Sequence, residues 1–212
     1  HQSALELVIS ESGRLGYKIS YKVVNAADYG IAQTRQRFIC IGVKKELKDF
    51  SYPHPTHSNP KKPIKGTKSW VTCGEIIGDI DVDLEEDINM MAGSKDKDLL
   101  KLVPPGDNYL FFTKERGYSS PIFKWRSRYW SFLLKLSPDR PSWTIQASHS
   151  NNMGPFHWKN RFLRIQEIKR IQSFDDKHIF LGNFREQWRQ VGNAVPPKLA
   201  EVFAKQLLKQ YF

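Results

Sequence analysis

The strongest constraint on the fold lies near the end of the chain, at Gln190–Pro197 and the segment that follows. Pro196 and Pro197 can open a helix, because the first helical turn has no use for their missing N–H groups. Apolar residues then recur at helical spacing and form one stripe: Leu199, Val202, Phe203, Leu207 and Leu208. Since Gly192 and Asn193 are turn formers, the sequence predicts a polar loop leading into an amphipathic helix. That junction is either a structural turn or a site for an anionic or zwitterionic ligand at free N–H groups.

Composition narrows the class of protein. The chain has 212 residues, a formal net charge of +11 and no apolar run of membrane length. Its two cysteines make no disulfide framework, and with six histidines they make no metal-ligand spacing, so we predict a metal-free protein of a reducing cytoplasm. A basic, aromatic-rich chain suggests a polyanionic partner, nucleic acid first, although an ordinary basic protein has the same balance. The first residue is not Met, which indicates a processed or interior piece.

The first fifty residues have the pattern of an α/β protein. Residues 5–15 place apolar side chains in a polar background closed by glycine, which predicts a helix. Tyr17–Val24 alternates, which predicts a strand whose buried face carries Ile19, Tyr21 and Val23. The continuous apolar run Phe38–Val43 predicts a central strand covered on both faces, in which Cys40 is a small buried hydrophobe.

Between these strands lies a polar segment, Gln33-Thr34-Arg35-Gln36-Arg37. Alternate residues of an extended segment point to the same side, so Gln33, Arg35 and Arg37 are predicted to line one face. Such donors could hold a carboxylate, a phosphate or the acceptor edge of a base. Two surface arginines in salt bridges are an equally simple interpretation.

From residue 51 the composition changes. Tyr52–Lys68 is rich in proline and predicts a linker or wrapping loop. Tyr109–Arg140 interleaves aromatic and basic residues, which indicates a small core whose basic side chains touch phosphate. Trp143–Ala147 predicts a strand, and the polar loop after it could reach base edges. The candidate DNA contacts are Arg126, Arg128, Ser148, His149, Ser150, Asn151, Asn152 and Arg161.

Several of these segments together resemble the conserved blocks of DNA (cytosine-5) methyltransferases. Gln33–Arg37 resembles the Gln-x-Arg-x-Arg block, and Pro138–Ile145 resembles the Asp-(Lys/Arg)-Pro-x-x-Thr-Ile block that begins their ninth motif. Arg164–Phe174 resembles the end of that motif, and Gln190–Pro197 resembles the Gly-Asn-(Ala/Ser)-Val-x-Pro block. The blocks occur in the family's order and cover nearly the whole chain.

The resemblance implies part of a Rossmann-like domain that binds S-adenosylmethionine, plus a smaller, mostly irregular or β domain that reads double-stranded DNA. Residues 1–50 and 191–212 would belong to the catalytic domain, residues 51–163 to the recognition domain and residues 164–190 to a hinge containing Glu167. A flipped cytosine would receive a methyl group at C5 after a cysteine thiolate attacks C6. Arg37 would bind the cytosine O2, supported by Arg35 and Gln33. The cofactor would be held by Asn193, Ala194 and Val195.

The family's Pro-Cys-Gln nucleophile loop is absent from the sequence, because neither Cys40 nor Cys73 follows a proline. The resemblance therefore implies a half enzyme that cannot methylate alone and that requires an N-terminal half, from a partner chain or a missing segment. A cytoplasmic restriction–modification setting is usual for the family. The alternative is a non-catalytic, sequence-specific DNA-binding subunit.

Overall fold

The computed structural model describes residues 2–85, 96–148 and 150–212 as a mixed α/β chain. Its helices are α1 (Gln2–Arg14), α2 (Cys73–Ile77), α3 (Lys97–Leu102), α4 (Ile165–Ile171), α5 (Phe184–Asn193) and α6 (Pro197–Tyr211). Its strands are β1 (Tyr17–Asn25), β2 (Gln33–Thr34), β3 (Gln36–Lys44), β4 (His57–Ser58), β5 (Lys68–Ser69) and β6 (Ser142–Trp143). Within these ranges the helices are too short or too polar to cross a lipid bilayer.

Two nine-residue strands form the longest pairing. β1 and β3 run antiparallel, from Tyr17 opposite Lys44 to Asn25 opposite Gln36. The alternation of β1 therefore predicted a strand correctly, and so did the apolar run of β3. Helix α1 precedes β1 and contacts it, and the chain reverses at Gly16, whose φ of 88° favours glycine.

The predicted burial of these strands is wrong. Tyr21, Val23 and Phe38 are about half exposed, and Cys40 is exposed as well. These residues share one face of the pair, since Val23 lies opposite Phe38 and Tyr21 lies opposite Cys40. The core lies on the other face, where Val24 and Val43 are buried. The reason is that α6 packs only on the face of Val24 and Val43, whereas the Phe38 and Cys40 face borders an open groove beside α1.

The core consists of three apolar clusters. One joins β1, β3 and α6 around Val24, Tyr29, Val43, Phe50, Leu199 and Phe203. A second lies between α2, α4 and α5 and contains Cys73, Ile77, Leu136, Ile145, Leu163, Ile168, Ile171, Trp188 and Val191. The third gathers the aromatic residues that follow α3, including Tyr109, Phe112, Phe132 and Phe156. The prediction that the aromatic-rich segment builds a small core is confirmed for these residues.

The junction before the last helix differs from the predicted loop. Helix α5 continues through Gly192 and Asn193, so the chain breaks only at Ala194–Pro196. Gly192 is a packing residue here, because a Cβ atom would lie 2.5 Å from the carbonyl oxygen of Gln146. Helix α6 begins at Pro197 as predicted, and its stripe is buried at Leu199 and Phe203. Leu208 departs from the stripe and is 60% exposed.

The predicted strand Trp143–Ala147 is shorter than expected. Strand β6 spans only Ser142–Trp143 and pairs in parallel with β2. Beyond it, the N–H and C=O of Ile145 bond to the side chains of Gln33 and Arg35 instead of to another strand. Side chains therefore replace the backbone ladder at this point, and this brings the segments around residues 33, 145 and 192 together.

Candidate functional site

Gln33 and Arg35 turn into the protein interior, where both are almost fully buried. Nη1 of Arg35 donates to the carbonyl of Ile145 at 2.9 Å and to Oε1 of Gln33 at 3.3 Å. Its Nη2 donates to the carbonyls of Gly192 and Ala194 at 2.7 and 3.2 Å. Burial lowers the pKa of Arg35 to about 10, and the nearby charge of Arg37 acts in the same direction. The guanidinium thus fastens β2 and β3 to the end of α5.

Gln172, just after α4, completes this arrangement. It was not predicted as a site residue from the sequence. Its Oε1 accepts a hydrogen bond from Nε2 of Gln33 at 2.5 Å. Its Nε2 donates to the carbonyls of Val191 and Ala194 at 3.0 and 2.9 Å. A glutamine that follows the apolar positions of α4 was the available signal. We call Gln33, Arg35 and Gln172, with the carbonyls they bind, the corner network.

Arg37 lies on β3 opposite Val24 and is only partly buried. Its Nη1 donates to the carbonyl of Gln36 at 2.6 Å, and desolvation lowers its pKa. Within the described ranges no partner is recorded for the other donors of its guanidinium. Gln33 and Arg35 thus contact each other as the alternation predicts, but both are buried and hydrogen-bonded, whereas Arg37 is partly exposed.

Asn193, Ala194 and Val195 lie at the corner that the network holds. Asn193 ends α5 with its side chain exposed, and Val195 is 53% exposed. The carbonyl of Ala194 is already engaged by Arg35 and Gln172, so Ala194 is part of the scaffold. Among the described residues, the Asn193 amide and the Val195 N–H have no recorded partner, which leaves them free to bind a ligand.

An exposed basic and aromatic face covers Lys124–Trp130, where every residue is exposed. Arg126 lies over the Trp125 ring at 5.9 Å, and Arg128 lies 6.0 Å from two phenylalanine rings. Beside this face is a groove of about 610 Å³. Its lining includes Thr34, Tyr129, Trp130, Trp143, Thr144 and Gln146. We call this groove the cleft; it joins the region of β2 to the aromatic-rich segment.

The polar loop after β6 divides into exposed and structural residues. Ser148, Ser150 and Asn151 are exposed, as a DNA contact requires, whereas His149 lies outside the described residues. Asn152 is partly buried. Its Nδ2 donates to Asp96 at 3.2 Å, and its carbonyl accepts from the N–H of Leu133 at 2.9 Å. These bonds make Asn152 a structural residue of the loop rather than an open base contact.

The prediction that Arg161 touches DNA is wrong. Arg161 is 2% exposed and makes two hydrogen bonds to Glu167, at 2.9 and 2.7 Å. Glu167 is fully buried and also accepts from the N–H of Arg164 at 2.8 Å. Nε2 of His157 lies 3.7 Å from the same carboxylate and 3.5 Å from Asp81. This buried ion pair joins the ends of several segments, so the charge of Arg161 stabilises the fold.

The cysteines occupy opposite environments. Cys73 is fully buried in the cluster between α2 and α4, and burial raises the pKa of its thiol to about 12. It is therefore structural, as predicted. Cys40 lies exposed on β3. Within the described ranges no group of three or more His, Cys, Asp or Glu side chains is arranged to hold a metal ion.

The fold resembles that of methyltransferases. The solved structure of the Entamoeba histolytica methyltransferase EhMeth superposes with a TM-score of 0.57 at 13% identity, over 97% of this chain and 57% of that one. Residues 1–209 match the family described as C-5 cytosine-specific DNA methylase. The chain belongs to this family, and the resemblance drawn from its motifs is confirmed.

Curated relatives agree with this assignment. The chain is 38% identical to the Type II methyltransferase M.SacI of Streptomyces achromogenes, over 99% of this chain and 56% of the relative. It is 29% identical to the Type II methyltransferase M.NgoFVII of Neisseria gonorrhoeae, over 98% of this chain and 54% of the relative. The chain thus spans about half the length of these relatives.

Proposed function

We propose that this chain is the DNA-binding and cofactor-completing half of a DNA (cytosine-5) methyltransferase. The observation that carries the proposal is the corner network, which ties the strand bearing Arg37 to the corner bearing Asn193. In the proposed enzyme the strand bearing Arg37 holds the reacting base, and the corner bearing Asn193 holds the methyl donor. A buried, hydrogen-bonded connection between two such sites fixes their separation, which favours reaction between bound groups.

Arg37 is the proposed base-binding residue. Its partly buried guanidinium retains donors for the O2 atom of a cytosine flipped out of the duplex. Partial desolvation strengthens such a hydrogen bond. Arg35 and Gln33 act as positioning residues, because their side chains are engaged by the corner network.

The donor set at the end of α5 fits the amino-acid part of S-adenosylmethionine. The Asn193 side chain offers a carbonyl oxygen for an ammonium group, and the N–H of Val195 suits a carboxylate. The Ala194 carbonyl is held in place beside them. When bound there, the cofactor supplies the methyl group, while these residues orient it. The reaction as proposed uses no metal ion.

Double-stranded DNA is the proposed substrate. The cleft and the exposed Lys124–Trp130 face, with Arg126 and Arg128, combine aromatic surface with positive charge. Residues 51–163 then form the recognition domain, residues 164–190 the hinge, and residues 1–50 with 191–212 a part of the Rossmann-like domain. Ser148, Ser150 and Asn151 are the polar candidates for base contacts. The bacterial sources of both curated relatives support a DNA-associated enzyme of the cytoplasm.

The nucleophile is proposed to come from an N-terminal half, on a partner chain or on a segment outside these residues. Burial keeps the Cys73 thiol protonated, and the sequence around Cys40 has no likeness to the family's nucleophile loop. The exposed apolar face of β1 and β3 supports such a partner, since further chain packing there would remove Tyr21, Val23 and Phe38 from water.

Transfer of a tritiated methyl group from S-adenosylmethionine to mixed-sequence DNA tests the proposal. We expect no transfer by this chain alone and transfer when the complementary half is added. Transfer by this chain alone would overturn the missing-nucleophile argument. If neither reaction transfers the methyl group but DNA binding is retained, the result would instead favour the non-catalytic DNA-binding subunit.

The Arg37→Ala variant tests the base-binding role separately. Turnover of the reconstituted enzyme should fall about a hundredfold or more, because an oriented donor to the reacting base is removed, while DNA affinity should change little. Lys44→Ala, at the far end of the same strand, is the control and should leave both quantities unchanged. Equal losses of turnover and affinity in Arg37→Ala would remove the base-pocket role.

A further inference from the structure

A loop on the described surface carries four lysines and no carboxylate. Lys61, Lys62, Lys65 and Lys68 are all exposed. The sequence contains no Asp or Glu between residues 50 and 74. Within the described ranges none of these four ammonium groups has a recorded ion pair. We call residues 59–68 the lysine loop; its local charge of +4 is uncompensated.

The lysine loop has a fixed backbone. Ser58, which is buried, lies at its base and accepts hydrogen bonds at its Oγ from the N–H of Ile64 at 3.1 Å and from the Thr67 hydroxyl at 2.7 Å. The ends are held by β4 and β5, which pair in parallel. A loop ordered in this way displays its charges with little further loss of backbone entropy on binding.

The loop borders a groove that lies next to the cleft. This groove, of about 420 Å³, is lined in part by Asn59, Lys61, Trp70, Arg140 and Trp143. Thr34 and Trp143 line both this groove and the cleft. The two grooves are therefore neighbours, with Lys61 lining one and the exposed Tyr129 and Trp130 lining the other.

We propose that the lysine loop binds the sugar–phosphate backbone of the DNA duplex that lies along the cleft. The inference rests on the proposed function and extends its DNA-contacting surface beyond the aromatic-rich segment. Phosphates are favoured as the ligand because the four ammonium groups have no recorded ion pair within the described ranges. The groove that the loop borders also carries Arg140 and Trp143, alongside one carboxylate, Asp139. Such contacts position the duplex without reading its sequence. The loop should therefore contribute to affinity and to salt dependence, but not to the choice of target sequence.

The test compares two variants with the same change in charge. One replaces Lys61, Lys62, Lys65 and Lys68 with Gln. The control replaces four exposed lysines at the opposite end of the core: Lys44, Lys45, Lys48 and Lys209. Lys44 ends β3 roughly 26 Å from Gln36 at the usual rise per strand residue. Affinity for a mixed-sequence duplex is measured over a range of salt concentrations, with this chain and with the reconstituted enzyme.

The slope of log affinity against log salt should become shallower in the lysine-loop variant, by about 0.9 for each phosphate that the loop no longer neutralises. The control should keep the wild-type slope, and replacing the four loop lysines with Arg should preserve it as well. Equal changes in both Gln variants, or an unchanged slope in the loop variant, would overturn the inference. A wild-type chain and reconstituted enzyme that bind no DNA would overturn the proposed function itself, which separates the two failures.

Discussion

The corner network and the cleft use the same kinds of side chain in opposite ways. In the corner, the Arg35 guanidinium and the amides of Gln33 and Gln172 are buried, and most of their polar atoms bind protein carbonyls or one another. Beside the cleft, Arg126 and Arg128 are exposed and contact aromatic rings. Buried, hydrogen-bonded polar groups fix the geometry of a fold, because breaking any one bond leaves a buried group unpaired.

Burial, rather than residue type, therefore decides whether a polar side chain in this chain stabilises the fold or is available to a ligand. Arg161 is a basic residue in a basic part of the sequence, which suggested a DNA contact. It is nevertheless buried like the corner residues, because Glu167 binds it in the interior. Arg37 lies between the two classes, since it is partly buried and retains unused donors. Variants that remove a buried partner should therefore cost stability, whereas variants beside the cleft should cost binding.

The largest effect is expected from Glu167→Ala. Removing this carboxylate leaves the buried Arg161 without its two-bond partner, and breaking a buried pair in this way typically costs about 3–5 kcal/mol. Urea unfolding measures the loss. Glu201→Ala is the control, because Glu201 pairs with Lys205 on the exposed surface of α6, and this variant should unfold at nearly the wild-type urea concentration. Equal losses in the two variants would contradict a structural role for the Arg161 pair.

Gln172→Leu should have the next largest effect, about 2 kcal/mol on the free energy of unfolding. The substitution leaves Nε2 of Gln33 buried without its recorded partner, at about 1–3 kcal/mol, whereas the Val191 carbonyl keeps the hydrogen bond from the Ala194 N–H. Gln190→Leu is a matched control, since Gln190 is an exposed residue of α5 that donates only to the Leu181 carbonyl. A Gln172 variant as stable as the Gln190 variant would show that the corner is not held by this side chain.

Acid should weaken the buried cluster around His157. Burial lowers its pKa to about 4, against the opposing effect of Glu167 and Asp81 and with the help of Arg161 and Lys159. A folded-state pKa below the unfolded value means that the unfolded chain binds the proton more readily. Stability should therefore decrease as the pH falls from about 6.5 to about 4, by on the order of 2 kcal/mol. His157→Gln should flatten this part of the pH profile of unfolding, and an unchanged profile would remove His157 as its source.

The sequence predicted the elements that depend on local pattern. The alternation of β1, the apolar run of β3 and the Pro197 start of α6 all follow from rules that hold within a few residues. The aromatic-rich segment also forms a core as predicted. The family motifs also selected Arg35, which lies in the corner network.

The sequence predictions that were wrong concern residues whose environment is set by contacts between distant segments. Gly192 is helical because α5 packs closely on Gln146, 46 positions away along the chain, and no local turn propensity reports such a contact. Cys40 is exposed because its face of the strand pair lies outside the core cluster that α6 completes, which an apolar run cannot reveal. Gln172 was missed for the same reason: its position after α4 marks it only as a polar residue, and its partners, Gln33 and two backbone carbonyls, lie far from it along the chain.

The smallest effect on stability is expected from Trp130→Ala, and it tests the cleft directly. Trp130 is 55% exposed and packs edge-on against Trp143, with ring centroids 6.3 Å apart, so its removal should cost less than about 1 kcal/mol of folding. DNA affinity should fall about tenfold, because the variant removes an exposed aromatic surface beside the duplex. Phe212→Ala, at the fully exposed end of the chain, should change neither quantity. A Trp130 variant of reduced stability but unchanged DNA affinity would place Trp130 with the corner residues and leave the cleft without its aromatic contact.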